Sequence, residues 1–303
     1  MTVSKIYMAA EGPQVSRLAL GLWRLASWGL SDGELLDLIH AAMDLGITTF
    51  DHADIYGDYT CEALFGRALA LEPSLRARMQ LVTKCGIKLV SANRPTHVIQ
   101  HYDTSKAHIV AAAENSLQML QTDRLDLLLI HRPDPLMDPD EVAEAFTMLR
   151  HSGKVLHFGV SNFTPSQFEL LASRLELTLV TNQVELSVQN MEVLHDGTVD
   201  QCLRLGISPM AWSPMGGGGL FRADTEQAER LRQALSAVGE ALGDASVDQV
   251  ALAWILAHPA RIVPVLGTGK LERIQKAAQA EALALSREQW FSIWRASTGT
   301  DVP

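Results

Sequence analysis

The chain is short of thiols. Cys61, Cys85 and Cys202 are the only cysteines in 303 residues, an odd number without CxxC spacing. That argues against a disulfide framework and a thiolate metal cluster, and it suits a reducing compartment. Positive charge is also scarce: 25 Lys and Arg stand against 35 Asp and Glu, a net −10. Nonspecific nucleic-acid binding rests on clustered basic residues, so no nucleic-acid partner is expected, although one basic pocket for a small anion is compatible with this balance. No run approaches the ~20 apolar residues that cross a bilayer, and the opening stretch MTVSKIYMAAEGPQVS lacks the apolar core of a secretory signal. A cytoplasmic protein without membrane contact is the expectation. Linkers, charge blocks and low-complexity segments are missing too, so residues 1–303 read as one domain.

What is present is a rhythm. Short runs rich in Ile, Val, Leu and Phe alternate with longer helical patterns: RLALGLW (17–23), ITTFDHA (47–53), QLVTKCG (80–86), LDLLLIH (125–131), VLHFGVS (155–161), TLVTNQV (178–184), ISPMAWS (207–213) and RIVPVLG (261–267). These eight read as strands. Helix starts between them carry Ser or Thr with Glu or Gln three residues on, at Ser31/Glu34, Thr164/Gln167, Ser246/Gln249 and Ser286/Gln289. Such pairs satisfy two of the N–H groups a helix start leaves open. Asp138 before Pro139 makes a similar start. Gly46, Gly153 and Gly206 suit the left-handed position after a helix end. Strands with helical returns predict an α/β fold, a single (β/α)₈ barrel with its active site at the C-terminal mouth of the strands. A doubly wound sheet is the alternative, but no GxGxxG follows the first strand.

In such a barrel every strand delivers its last residues to one mouth. Those residues are Trp23, Asp51 with Tyr56, Lys84, His131, Ser161 with Asn162, Gln183, Trp212 with Ser213, and the stretch from Gly267. A tyrosine is a weak acid near neutrality, with a reference pKa of ~10. A neighbouring ammonium favours its phenolate, and a carboxylate holds that ammonium charged and in place. Asp51, Tyr56 and Lys84 suit this set, with His131 opposite to orient a substrate oxygen. Tyr59 competes with Tyr56, but DYTCE reads as the start of the next helix. The set supplies a proton and no hydride, so a cofactor must bring the hydride.

The ordered segments FDHADIYG, VTKCG, LLLIHRPD, HFGVSNF, TNQVELS, AWSPMGGGGLF and VPVLGTGKLERI resemble the aldo-keto reductase family over nearly the whole chain. The resemblance implies NADPH-dependent reduction of a small carbonyl substrate, with Tyr56 as proton donor and Asp51, Lys84 and His131 completing a catalytic tetrad. It implies that Ser161, Asn162 and Gln183 hold the nicotinamide carboxamide and that Trp212 stacks beneath the ring. Ser213, Pro214, Met215, Gly216, Gly217, Gly218 and Leu220 would wrap the pyrophosphate. Gly267, Gly269, Lys270 and Arg273 would meet the adenosine end, where Arg273 suits a 2′-phosphate. Lys276 and Ala277 depart from the Glu and Asn common in the family at the adenine. Trp23 is expected to wall the substrate pocket, and the long segment 87–107 to cover it. Trp290 and Trp294, at helical spacing, are expected to pack.

Two other function classes compete. The channel β subunits share the fold and keep the tetrad, so a nucleotide-binding regulatory subunit is one alternative. The other is a metal-dependent barrel hydrolase using His52, Asp54 and His131. Against it, the first strand ends in LGLW rather than HxH and the histidines are not paired at ligand spacing, so no metal site is expected.

Overall fold

The computed structural model describes residues 2–302; Met1 and Pro303, within the expected domain, lie outside the described residues. Eight parallel strands close a barrel: β1 (Ala19–Gly21), β2 (Thr49–Asp51), β3 (Gln80–Cys85), β4 (Leu125–Ile130), β5 (Val155–Ser161), β6 (Leu179–Glu185), β7 (Met210–Trp212) and β8 (Val263–Leu266). Each pairs with its sequence neighbours, and β8 returns to β1 through Val265 opposite Ala19. Parallel strands under helices are buried on both faces, which is why LDLLLI is nearly continuous in apolar residues. Every expected strand is present: 155–161 at full length, 178–184 moved on by one residue, and the others shortened at the ends where polar groups turn into loops.

The helix signals act as their chemistry requires. Ser31, Thr164 and Ser286 accept from the third helical N–H while Glu34, Gln167 and Gln289 reach back to the cap N–H. At Ser246 the Gln249 side chain takes both the cap N–H and the hydroxyl. Asp138 accepts from the Asp140 N–H, with Pro139 at the first helical position. Gly46, Gly153 and Gly206 have φ of 85°, 72° and 66°, values that suit a residue without Cβ.

Two hairpins lack a strong sequence signal. Lys5–Tyr7 pairs with Gln14–Ser16 and lies against the N-terminal end of the barrel, where Ser16 bonds Thr49 at the start of β2 and the Ser208 N–H donates to the Met8 carbonyl. The second hairpin, Ile87–Lys88 with His101–Tyr102, organises the long segment after β3. Tyr59 anchors that segment: its hydroxyl accepts from the Leu89 N–H at 2.7 Å, and the Arg94 guanidinium lies 4.5 Å from its ring centroid. Trp290 stacks on Trp254 at 4.6 Å, each indole N–H donating to the other's carbonyl, so the C-terminal helix is bolted to the helix before β8.

Candidate active site

Strand alternation decides which residues face inward. Asp51 ends β2 beside Gly21 and Val82, and Lys84 lies near the end of β3; both are about 1% exposed. Lys84 Nζ donates to both Asp51 carboxylate oxygens at 2.9 and 2.8 Å, to the His52 carbonyl at 2.7 Å and to the Tyr56 hydroxyl at 3.1 Å. Gln183 Nε2, from β6 across the barrel, donates to Asp51 Oδ1 at 2.8 Å. An ammonium this deeply buried persists because its neighbours compensate lost water: burial pulls the Lys84 pKa down, but Asp51 and Tyr56 leave it above the usual lysine range. Burial pushes the Tyr56 phenol up, and the ammonium pulls it back only part of the way. Tyr56 therefore holds its proton near neutral pH. His131 sits edge-on to the Tyr56 ring with centroids 5.9 Å apart. Burial, Lys84 and Arg132 drive its pKa well down, so the imidazole is neutral.

These groups floor one cavity of about 1060 Å³ that runs along the C-terminal ends of the strands. Asp51, Tyr56 and His131 line it, while Lys84 lies beneath them. Trp212 contributes a wall: its indole N–H donates to Asn162 Oδ1 at 2.9 Å, Asn162 Nδ2 to Ser161 Oγ at 2.7 Å, and Ser161 Oγ to the Gln183 carbonyl at 2.8 Å. Asn162 and Ser213 have φ of 60° and 50°, so the chain leaves β5 and β7 through left-handed residues that aim side chains at the mouth. Ser213, Pro214, Met215, Gly217, Gly218, Gly267 and Arg273 also line the cavity, and Trp23 stands on its rim, 58% exposed.

Four expected cofactor residues do not line it. Leu220 is fully buried in an apolar cluster with Val188, Leu231 and Trp254, because its short helix turns Phe221 and Arg222 toward the cavity instead. Gly216 abuts Gln189; the Trp28 ring lies over Gly269; Lys270 occupies the cap position of the helix Leu271–Gln279. Lys276 and Ala277 do line the cavity, together with Asp248, Leu252, Thr268 and Glu272. Sequence reasoning passed over Arg24, Arg132 and Arg222. A signal was available: each arginine directly follows, or lies close behind, a residue already assigned to the mouth. Of the long segment only Ile87 lines this cavity, so the segment does not form the expected wall over it; Lys88, Arg94 and His97 line a separate pocket instead.

His52 and Asp54 lie elsewhere. His52, just past the end of β2, turns away from the cavity and packs edge-on against Phe65, with ring centroids 4.6 Å apart. Asp54 lines a separate flank pocket with Tyr59 and His108. The ligand set of the hydrolase alternative is not assembled, and no group of three or more metal-ligating side chains is found among the described residues.

A matching model of the aldo/keto reductase family spans residues 17–297. The chain belongs to the aldo/keto reductase family. Its relatives include the oxidoreductase YdhF of Escherichia coli, 54% identical with 99% of this chain and 100% of that protein covered. A 6-dehydroglucose reductase of Agrobacterium fabrum is 43% identical over 95% of this chain and 96% of its own. Among solved structures, an aldo/keto reductase of Klebsiella pneumoniae in complex with NADP and acetate superposes with a TM-score of 0.78 at 27% identity, covering 97% of this chain and 95% of that one. The aldo/keto reductase barrel and an oxidoreductase are thereby established for this chain. No helix among the described residues is long and apolar enough to cross a membrane.

Behind Asp51, Tyr56, Lys84 and His131 lies a layer of buried acids and imidazole. Thr83 donates to Glu62 Oε1 at 2.6 Å, and burial pushes the Glu62 carboxyl up to about 7. Burial and Lys84 push His52 down to about 3. A carboxyl raised in the fold contributes stability below its unfolded value that is lost as pH rises from 4.5 through about 7. His52 acts in the opposite sense, losing stability as pH falls below 6.5. Comparing Glu62→Gln with wild type cancels His52 and leaves Glu62 together with Asp54, the buried carboxyl whose pKa it helps to raise. The stability difference is expected to move in the variant's favour by up to about 3 kcal/mol between pH 4.5 and 8, at ~1.4 kcal/mol per pKa unit. Urea unfolding across that range checks it; a pH-independent difference would remove Glu62 as the titrating group.

Proposed function

We propose that the chain reduces an aldehyde or ketone to an alcohol with NADPH. The observation that carries this reading is the Tyr56 hydroxyl at the cavity floor, 3.1 Å from an ammonium that Asp51 holds on its other side. NADPH, when bound, supplies the hydride. Tyr56 gives its proton to the oxygen that becomes the alcohol, and Lys84 stabilises the phenolate left behind. Neutral His131 orients that oxygen, while Lys84 and Asp51 form a fixed charge pair that need not reorganise during the reaction. Replenishing the Tyr56 proton completes the cycle.

The residues present fit a dinucleotide. The cavity is at the upper end of the ~300–1,000 Å³ common for small-molecule sites and continues from His131 past the Gly217–Gly218 turn to Arg273. Gly217 and Gly218 have φ of 63° and 94°; the space beside Gly217 is open and the Arg222 guanidinium lies beside Gly218, so an anion at this turn would meet backbone and a cation together. Ser161, Asn162 and Gln183 would hold the carboxamide, and Trp212 would support the ring. Arg273 and Lys276 would meet the 2′-phosphate. Lys276 replaces Lys270 in that role because it lines the cavity and Lys270 does not.

The deciding experiment is NADPH oxidation across a panel of aldehydes and ketones; a nucleotide-binding regulatory subunit would bind NADPH and turn nothing over. Cofactor choice is a separate test. Charge-assisted hydrogen bonds to a phosphate contribute about 1.5–3 kcal/mol, which gives NADPH roughly a 10- to 150-fold advantage over NADH. Arg273→Ala is expected to shrink that preference by weakening NADPH while NADH changes little. Titrations at one ionic strength check it, and equal losses for both coenzymes would show that Arg273 does not read the 2′-phosphate.

A further inference from the structure

We propose that Arg132 is a specificity-determining residue that recognises an anionic group, a carboxylate or phosphate, on the carbonyl substrate. Arg132 directly follows His131 at the mouth end of β4, lines the main cavity, and holds its guanidinium carbon 5.6 Å from the Trp212 ring centroid on the far side of that mouth. Among the described residues it joins no ion pair. The nearest acid in sequence, Asp134, is committed elsewhere, accepting from Thr104 Oγ1 at 2.9 Å and from the Leu136 N–H at 2.8 Å. Asp51 is occupied by Lys84 and Gln183.

The other cations of the cavity are distributed differently. Arg24 and Arg222 converge on the Gly217 carbonyl at 3.3 and 3.0 Å, and Arg273 and Lys276 lie at the opposite end beside Glu272. Arg132 is thus a half-buried cation without a carboxylate, next to the reacting centre, in a chain whose net charge is −10. A guanidinium in that position attracts an anion and fixes it through two parallel N–H donors. Its place between His131 and Trp212 limits the distance: the anionic group lies within a few bonds of the carbonyl that Tyr56 protonates. Substrates of this class are short aldehyde or keto acids and phosphorylated aldehydes. The inference rests on the carbonyl-reductase reading.

The test uses matched pairs with NADPH: succinic semialdehyde against butyraldehyde, and glyceraldehyde 3-phosphate against glyceraldehyde. Wild type is expected to favour the charged member of at least one pair by tenfold or more in kcat/KM, mainly through KM, and the pair showing it distinguishes carboxylate from phosphate. Arg132→Gln is expected to reduce that charged-to-neutral ratio roughly 10- to 100-fold, the loss of a charge-assisted pair, and Arg132→Lys to restore part of it. Preference for both neutral members, or a ratio unmoved by Arg132→Gln, overturns the proposal while leaving the reductase reading intact. Failure to turn over any carbonyl would sink the reductase reading. In that event calorimetric titration of succinate against succinamide into the NADP⁺-saturated protein still decides for or against Arg132: selective succinate binding that Arg132→Gln abolishes supports it, and equal binding of the two overturns it.

Discussion

Tyr56→Phe is expected to lower kcat for carbonyl reduction by roughly 10²–10⁴-fold, the usual contribution of a positioned general acid. The change deletes one oxygen and keeps the ring that sits edge-on to His131. NADPH affinity should therefore stay close to wild type, which tryptophan fluorescence titration reads separately. Because the phenol is held above the ordinary tyrosine range, the wild-type reduction rate should be flat through neutral pH and fall only on the alkaline side. The reverse oxidation needs the phenolate and should rise over that same alkaline range. Near-normal reduction of several carbonyls by Tyr56→Phe would end the proton-donor assignment.

Lys84→Met is expected to damage both stability and turnover. Lys84 and Asp51 are each about 1% exposed, and removing the ammonium leaves a buried carboxylate with only the Gln183 amide as side-chain donor. Breaking a buried pair from one side typically costs about 3–5 kcal/mol, because the surviving charge has lost its partner and cannot regain water. Turnover should fall by orders of magnitude as well, since the phenolate left after proton transfer would have no counter-charge. The double variant Lys84→Met/Asp51→Asn separates the two effects: it should recover much of the stability and none of the activity. Unfolding midpoints and kcat for the three variants check this. A Lys84→Met protein as stable as wild type would show that the pair is not held as the distances indicate.

The strand–helix alternation and the barrel were legible because each rests on local rules. Five apolar residues among the six of LDLLLI announce a strand buried on both faces, and Ser31 with Glu34 announces a helix start, without reference to anything distant. The strand ends then named most of the mouth, from Asp51 to Arg273, because a closed parallel barrel sends every strand end to the same side. The roles of those residues came from the resemblance of ordered motifs rather than from spacing alone. The two hairpins escaped notice because their strands, KIY, QVS, IK and HY, mix polar and apolar residues and lie in no apolar run, unlike the equally short strands of the barrel.

What tertiary structure alone decided is how neighbours in sequence are divided between environments. Asp51 and His52 are adjacent, yet one anchors Lys84 in the barrel and the other packs on Phe65 beneath the helices. Leu220 faces a core while Arg222 faces the cavity, and Lys276 lines the mouth where Lys270 caps a helix. Composition and periodicity report how much of an element is buried, and a local pattern can place a residue at a strand end. Whether its side chain meets a ligand or an apolar wall depends on contacts with residues tens to hundreds of positions away, such as Gln183 reaching Asp51 across 132 positions. The sequence determined the barrel and the catalytic candidates by local chemistry. Only the closed fold decided their geometry, the protonation of Tyr56 and the unpaired charge of Arg132, because desolvation and pairing are set by what the rest of the chain brings alongside.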